Sequence, residues 1–125
     1  PDGFVNLHGG DPEYYRGLDS PMWAIYNREF DQLIVTLHRL NQRLDDGEIL
    51  QKSQIKLNKN SKIIKLRAEN TKLCVQLTLS ALSTFKQLGS FKSKPQKIKG
   101  RYYSFMPSQL KEVCVKNFDQ HIQKL

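Results

Sequence analysis

Apolar residues recur every three or four positions through the first half of the chain. The series consists of Trp23, Tyr26, Phe30, Leu33, Leu37, Leu40 and Leu44. This heptad-like spacing is typical of one face of an amphipathic helix. Ser20 can act as an N-cap, and Pro21 suits the first helical position. The pattern therefore predicts a helix from 21 to 46 that ends at Gly47.

Two further helices follow from the same reasoning. A second series predicts a helix over 68–89, carried by Leu73, Leu77, Ala81, Phe85 and Leu88. Beyond Pro107, a third series predicts a helix over 107–124, carried by Leu110, Val113, Phe118, Ile122 and Leu125. The first two helices would pack as an antiparallel pair. We therefore expect a mainly α fold, a small helical bundle built on this pair of long helices plus the C-terminal helix.

An α+β arrangement is the alternative fold. Short apolar and polar alternation occurs around Ile55 and Leu57, and again around Val75, Leu77 and Leu79. Alternation with a period of two is typical of a half-buried strand. This alternative places a short two- or three-stranded antiparallel sheet around residues 53–79.

The chain has 125 residues, enough for one ordinary domain. Residues 1–19 are rich in glycine and lack a sustained period, which predicts an irregular N-terminal arm. Residues 20–125 then form a single helical domain, with basic connectors at 48–67 and 90–106. No run of apolar residues reaches the length of a membrane span, and the two cysteines form no paired motif, so we expect an intracellular protein, cytoplasmic or nuclear.

Charge is distributed unevenly along the chain. Residues 1–49 contain nine acidic and four basic residues, whereas residues 50–101 contain thirteen basic residues and one acidic residue. The net charge is +8. Lysine and arginine neutralise phosphates, and nearby aromatic rings can stack on exposed bases. The basic middle therefore indicates a polyanionic partner.

The leading hypothesis is a non-enzymatic accessory protein that binds the phosphate backbone of DNA or RNA. Its predicted interface consists of Lys52, Lys56, Lys59, Lys62, Lys65, Arg67, Lys92, Lys94, Lys97, Lys99, Arg101 and Tyr102. The basic middle could instead pair with the acidic first third of the chain. The alternative function is a helical subunit of a larger assembly, which would use the stripe from Trp23 to Leu44 for a protein partner or a homodimer.

No recognised catalytic, cofactor-binding or metal-binding motif is present in the sequence. His8, Asp11 and Glu13 are the nearest approach to a ligand cluster, but they are better explained as solvated loop residues. Cys74 and Cys114 lie among apolar residues, where cysteine usually packs as a small hydrophobe. The sequence therefore predicts no enzymatic activity, no catalytic residue, no cofactor and no metal.

Overall fold

The computed structural model describes residues 3–43 and 45–125 of the chain. It contains five strands and three α-helices in this part of the chain. In chain order these are β1 (Val5–His8), β2 (Tyr15–Gly17), α1 (Ser20–Tyr26), β3 (Ile34–Arg39), β4 (Ile49–Gln54), α2 (Leu66–Leu88), β5 (Arg101–Tyr103) and α3 (Ser108–Gln123).

The central sheet is antiparallel and has the strand order β1, β3, β4. The middle strand, β3, begins with the β-branched residues Ile34, Val35 and Thr36, which favour extended backbone. Alternate residues of a strand point to opposite faces. Val35 and Leu37 therefore share one face of the sheet, whereas Thr36 and His38 share the other.

Helix α2 covers the face of the sheet that carries Val35 and Leu37. Both side chains are buried against Leu77 of α2, and Leu50 of β4 packs beside them. The helix ends at Gly89, whose left-handed backbone (φ 73°) suits a residue without a side chain. The opposite face of the sheet is covered by loops, because Thr36 and His38 on that face are buried against Gly10 and Asp45.

A second layer is built from α1, α3 and a small parallel sheet formed by β2 and β5. Ala24 and Ile25 of α1 pack in one buried cluster with Cys114 and Phe118 of α3. Tyr15 of β2 belongs to the same cluster, and its ring stacks on Tyr103 of β5 with 5.1 Å between centroids. Between the two layers, the loop at Gly10 contacts Thr36 of β3 on one side and Ser20 of α1 on the other.

The predicted mainly α bundle is wrong, because the chain folds as α+β with two sheets. Helix α1 ends at Tyr26, and Arg28 adopts a left-handed backbone (φ 59°) that a helix cannot continue through. Leu37, a member of the predicted helical stripe, lies in β3 and pairs with Leu7 on one side and Gln51 on the other. The local spacing of apolar residues fits both a helix and a strand here, so it does not reveal these long-range pairings. Leu44, the last member of the stripe, lies outside the described residues.

The alternative sheet was placed in the wrong part of the chain. Of residues 53–79, only 53–54 belong to β4, and 66–79 belong to α2. The strands come instead from 5–8 and 15–17, within the predicted arm, and from 34–39, within the first predicted helix. Helices α2 and α3 do lie close to the predicted 68–89 and 107–124. The division of the chain into an arm and one domain stays a prediction. Among the described residues, no helix is both long and apolar enough to cross a membrane.

Candidate active site

His8 is the last residue of β1, and its side chain is buried. Its Nε2 lies 2.7 Å from the carbonyl oxygen of Tyr15. A carbonyl oxygen can only accept, so Nε2 carries the proton and donates it to this bond. The second ring nitrogen, Nδ1, faces the carboxylate of Asp45, with 3.6 Å between Nδ1 and Oδ1. The hydrogen bond to Tyr15 therefore fixes which nitrogen of His8 remains available.

A second buried histidine meets the same carboxylate oxygen. His38 lies on the face of β3 opposite α2, with only 1% of its surface exposed. Its Nδ1 donates to the carbonyl oxygen of Arg39 at 2.9 Å, so Nε2 is the nitrogen that faces Asp45. Nε2 lies 3.7 Å from Asp45 Oδ1 and has no hydrogen-bond partner among the described residues. Two imidazole nitrogens thus converge on one buried carboxylate.

Asp45 is held in place by backbone contacts. Its backbone is left-handed (φ 54°), and its Oδ2 accepts the backbone N–H of Gly17 at 2.9 Å. The side-chain amide of Gln96 donates to the carbonyl oxygens of Asp45 at 2.7 Å and Gly47 at 3.0 Å. The loop that carries Asp45 is therefore tied to β2 and to the segment before β5.

Asn6 supplies an exposed amide beside this buried group. It precedes His8 by two residues on β1, so both side chains point to the same face of the sheet. It also lies directly opposite His38 in the antiparallel register. Because Asn6 is exposed, its amide is accessible to a small molecule. An amide N–H can stabilise negative charge on a carbonyl oxygen, and the nearby histidines and carboxylate can take part in proton transfer. This arrangement is suited to acyl transfer at a carbonyl carbon.

The loop after His8 is shaped by two adjacent glycines. Thr36 donates its hydroxyl to the carbonyl oxygen of Gly10 at 2.7 Å, which fastens this loop to β3. A Cβ on Gly10 would lie 2.7 Å from the Cβ of Ser20, so a larger residue there would push α1 away. Gly9 borders a cleft of about 480 Å³ that is lined mainly by apolar side chains. The lining of this cleft therefore includes the residue that follows His8 in the chain.

Asp11 and Glu13 belong to a separate ion-pair cluster. Lys52 Nζ lies 2.8 Å from Asp11 Oδ2 and 2.7 Å from Glu13 Oε1. Glu13 also accepts the backbone N–H of Lys97 at 2.7 Å. His8 is therefore not part of a cluster with Asp11 and Glu13. Within residues 3–43 and 45–125, no group of three or more histidine, cysteine, aspartate or glutamate side chains is placed to hold a metal ion.

Glu13 should contribute stability that is lost in acid. Burial raises its pKa, but the hydrogen bonds from Lys52 and Lys97 and the charge of Lys52 together bring the pKa below its ordinary value. A carboxyl group whose pKa falls on folding stabilises the protein above its unfolded pKa of about 4.3, and this contribution disappears as pH falls through the folded value.

We therefore expect Glu13→Gln to destabilise the protein at about pH 6, with a difference from wild type that shrinks towards about pH 3. Urea unfolding at each pH measures it. Glu112, exposed on α3, provides the control Glu112→Gln, which should not change the pH dependence. An acid-side loss of stability that is the same in Glu13→Gln as in wild type would contradict this assignment.

The two cysteines are poor candidates for nucleophiles. Cys114 is fully buried beneath α1, where its thiol donates to the carbonyl oxygen of Met22 at 3.3 Å. Cys74 is half-buried on the face of α2 that packs against the sheet. Burial raises the pKa of both thiols, which lowers the fraction of reactive thiolate.

The residues predicted to bind nucleic acid fall into separate groups. Lys52 lies on β4 and is bound to Asp11 and Glu13. Lys92, Lys94, Lys97 and Lys99 lie on the segment after α2, and Arg101 and Tyr102 follow on β5. The remaining residues are exposed between β4 and the first turn of α2: Lys56, Lys59, Lys62, Lys65 and Arg67. Their predicted contacts with nucleic acid stay a prediction.

Sequence reasoning did not identify Asn6, His38 and Asp45 as functional residues. The sequence pattern assigns His38 to the first predicted helix and Asp45 to the end of that helix. It assigns Asn6 to the irregular arm. Strand pairing brings Asn6, His8 and His38 together, and the loop after β3 returns Asp45 to them. The one available signal was the polar pair Asn6 and His8 at a spacing of two, which a strand places on one face.

The fold of this chain is similar to that of solved structures that include formyltransferases. The chain matches no family model. It is similar to HypX from Aquifex aeolicus, solved in complex with tetrahydrofolic acid, at 29% identity over 85% of the chain and 18% of HypX, with a TM-score of 0.66. It is similar to WlaRD, a sugar 3N-formyltransferase solved with dTDP and 5-N-formyl-THF, at 25% identity over 82% of the chain and 37% of WlaRD, with a TM-score of 0.70.

A third similar structure extends over nearly the whole chain. PseJ, a formyltransferase from Anoxybacillus kamchatkensis, matches 97% of the chain and 63% of its own length at 24% identity, with a TM-score of 0.68. At this identity the likeness shows a shared fold. In each of these three comparisons, the chain spans less than two thirds of the matched protein.

These similarities correct the functional predictions. The expectation of a non-enzymatic nucleic-acid-binding accessory protein is wrong, because the similar structures include formyltransferases and the shared fold resembles an enzyme domain. The prediction that the chain has no enzymatic role is wrong for the same reason. The residues of the stripe from Trp23 to Leu40 do not form one helix, and the protein partner or homodimer expected from the stripe stays a prediction. The fold of this chain therefore resembles part of a formyltransferase.

Proposed function

We propose that this chain carries the proton-transfer part of a site that moves a formyl group from a reduced folate to an amine. The observation that supports this most strongly is the buried His8–Asp45 pair with the exposed amide of Asn6 on the same face of β1. The similarity to HypX and WlaRD, whose structures were solved with folates, indicates the formyl donor.

Formyl transfer to an amine requires the protein to transfer a proton and to stabilise negative charge on the carbonyl oxygen. The attacking nitrogen must lose a proton, which the departing nitrogen later receives, and the carbonyl oxygen gains negative charge on the way. His8 Nδ1 is suited to the first task, because Nε2 already donates to Tyr15. Asp45 Oδ1, 3.6 Å away, stabilises the imidazolium that forms when Nδ1 takes the proton.

Asn6 is suited to the second task. Its side-chain amide can donate to the formyl oxygen as charge develops there. The residues present therefore fit the formyl group itself: a donor for its oxygen and a base for the attacking nitrogen. When bound, the reduced folate supplies the formyl carbon and the departing nitrogen.

The site is open on the side of β1. Among the described residues, β1 pairs with β3 alone, and its neighbouring residues Val5 and Leu7 are more than one third exposed. The chain matches only 18% of HypX and 37% of WlaRD. The open edge leaves the exposed Asn6 accessible to the formyl donor.

The test follows a carbon-13 label in the formyl group of formyl-tetrahydrofolate. Purified protein is mixed with the labelled donor and a panel of small primary amines, and products are identified by NMR. We expect a carbon-13 formamide to form at a rate proportional to protein, and Asn6→Ala and His8→Ala to lose this rate.

Two results would contradict the proposal. Formate in place of a formamide would show that water, and not an amine, accepts the group. Absence of any product, together with absence of amide shifts at Asn6, His8 and His38 when the donor is added, would show that this surface does not bind a formyl group.

A further inference from the structure

The side chain of Gln96 connects the segment before β5 to the loop that carries Asp45. Its Nε2 donates to the carbonyl oxygen of Asp45 at 2.7 Å and to that of Gly47 at 3.0 Å. These carbonyl groups lie 51 and 49 residues away from Gln96 along the chain. One amide group therefore fixes the spacing between two backbone carbonyl groups of a distant turn.

The orientation of this amide is set by its two N–H groups. Gln96 Oε1 is buried and has no hydrogen-bond partner among the described residues. A buried acceptor without a donor costs about 1–3 kcal/mol. Rotating the amide by half a turn would place Oε1 against two carbonyl oxygens, and three acceptors would then face one another. The orientation with both N–H groups on the loop is therefore favoured despite its unsatisfied oxygen.

The segment that carries Gln96 is anchored on both sides. Two residues before it, Lys94 exchanges two backbone hydrogen bonds of 2.8 Å with Ile49 at the start of β4. One residue after it, the backbone N–H of Lys97 donates to the carboxylate of Glu13 at 2.7 Å. The main chain at Gln96 is therefore restrained, and its amide is presented to the loop at a fixed position.

The position of the loop decides whether the carboxylate of Asp45 can serve His8. Asp45 Oδ1 lies 3.6 Å from His8 Nδ1, just beyond the usual length of a hydrogen bond between nitrogen and oxygen. The backbone of Asp45 is left-handed (φ 54°), which costs about 1–2 kcal/mol and persists only under constraint. Because a displacement of about 1 Å can lower a catalysed rate about 10²-fold, the restraint on this turn matters for the rate.

We propose that Gln96 is a positioning residue that keeps Asp45 Oδ1 directed at His8. It holds the carbonyl oxygens of Asp45 and Gly47, and it acts through Asp45, without contact with the reactants. The effect on the rate rests on the proposed formyl transfer. The placement of Asp45 can be measured without any substrate.

The variant Gln96→Met removes both N–H donors and keeps the length of the side chain. We expect kcat for formyl transfer to fall about 10–100-fold, with KM for formyl-tetrahydrofolate unchanged, because the lost interaction acts in the transition state. Ser93→Ala is the matched control. Ser93 binds Arg39 and Glu48 from the same segment, through hydrogen bonds that do not involve Asp45. Its loss should change kcat less than about twofold.

A double-mutant cycle separates positioning from general stabilisation. In the Asp45→Asn background, the carboxylate charge that Gln96 would position is already absent. Adding Gln96→Met there should lower kcat less than about twofold further. A contribution of Gln96 that is independent of Asp45 would instead give the same factor in both backgrounds.

The ring nitrogens of His8 and His38 report the placement of Asp45 in the absence of substrate, because both rings face its Oδ1. At one fixed pH, we expect Gln96→Met to shift the nitrogen-15 signals of both rings and Ser93→Ala to leave them unchanged. If Gln96→Met does not fold, Gln96→Glu takes its place in every measurement. An ionised glutamate fills the same space and donates no hydrogen bond from its side chain.

Three results would overturn the proposal. Unchanged ring signals in the folded variant would show that Asp45 keeps its position without Gln96. Equal factors in the two backgrounds of the cycle would show that Gln96 acts independently of Asp45. Equal losses in Gln96→Met and Ser93→Ala would assign the effect to the whole segment. A wild-type chain without formyl transfer, combined with shifted ring signals in Gln96→Met alone, would reject the proposed function and support the placement of Asp45 by Gln96.

Discussion

Asp45→Asn is expected to lower the rate of formyl transfer by about 10²–10⁴-fold, the range for loss of general acid–base catalysis. Asparagine keeps the shape of the side chain and an oxygen that can accept the backbone N–H of Gly17. Its amide can donate to the ring nitrogens of His8 and His38 that now face Oδ1. The variant therefore keeps the local structure and loses only the negative charge that stabilises a protonated His8.

This design separates a catalytic role from a structural one. Thermal unfolding of Asp45→Asn should stay within about 1 kcal/mol of wild type, because no buried donor is left without an acceptor. The rate of tetrahydrofolate formation from formyl-tetrahydrofolate measures the activity. A variant that retains full activity would exclude Asp45 from the chemistry, and a variant that unfolds would assign it a structural role.

The neighbouring carboxylate supplies the matched control. Asp46 carries the same charge, but its side chain is directed to Arg43 at the surface, with 3.5 Å between Oδ2 and the guanidinium. Exposed ion pairs of this kind contribute about 0–1 kcal/mol. Asp46→Asn should therefore change the rate less than about twofold. If both variants lose activity equally, the effect comes from net charge in the loop and not from the contact with His8.

The part of the fold that sequence could predict is the part that depends on local pattern. Helices α2 and α3 follow from apolar residues at helical spacing and end near a glycine or begin after a proline. The central strand β3 was assigned to a helix, although Leu33, Val35 and Leu37 are all buried at a spacing of two. Leu33 and Leu37 also fit a spacing of three and four when Phe30 and Leu40 are included. Pairing with β1 and β4 decides between the two periods, and that pairing is not local.

The candidate site was even less accessible from sequence, because its members come from distant segments. His8 closes a strand in the predicted arm, His38 lies in the predicted first helix, and Asp45 follows the last apolar member of the stripe. No short motif joins them. The charge pattern was more informative: the predicted pairing of basic and acidic parts of the chain occurs at Lys52, which binds Asp11 and Glu13.

Gly47→Ala is expected to destabilise the protein by about 4 kcal/mol or more, an effect that few single substitutions reach. A Cβ at this position would overlap the carbonyl oxygen of Arg39 and press on the carbonyl carbon of the same residue. Both are backbone atoms of a central strand, so neither can move away as the end of a flexible side chain would. The backbone here is closely packed because Glu48 accepts the N–H of Arg39 at 2.8 Å.

Gly89→Ala provides the comparison, because it isolates backbone strain from contact. Gly89 ends α2 with a left-handed backbone (φ 73°), and no atom lies within 4 Å of its Cβ position. Alanine there should therefore cost about 1–2 kcal/mol from conformation alone. Urea unfolding followed by circular dichroism measures both variants. A Gly47→Ala variant no less stable than Gly89→Ala would show that the loop between β3 and β4 can move away from Arg39. In that case Asp45 would not be held rigidly beside His8, and the preorganised site inferred from its contacts would be lost as well.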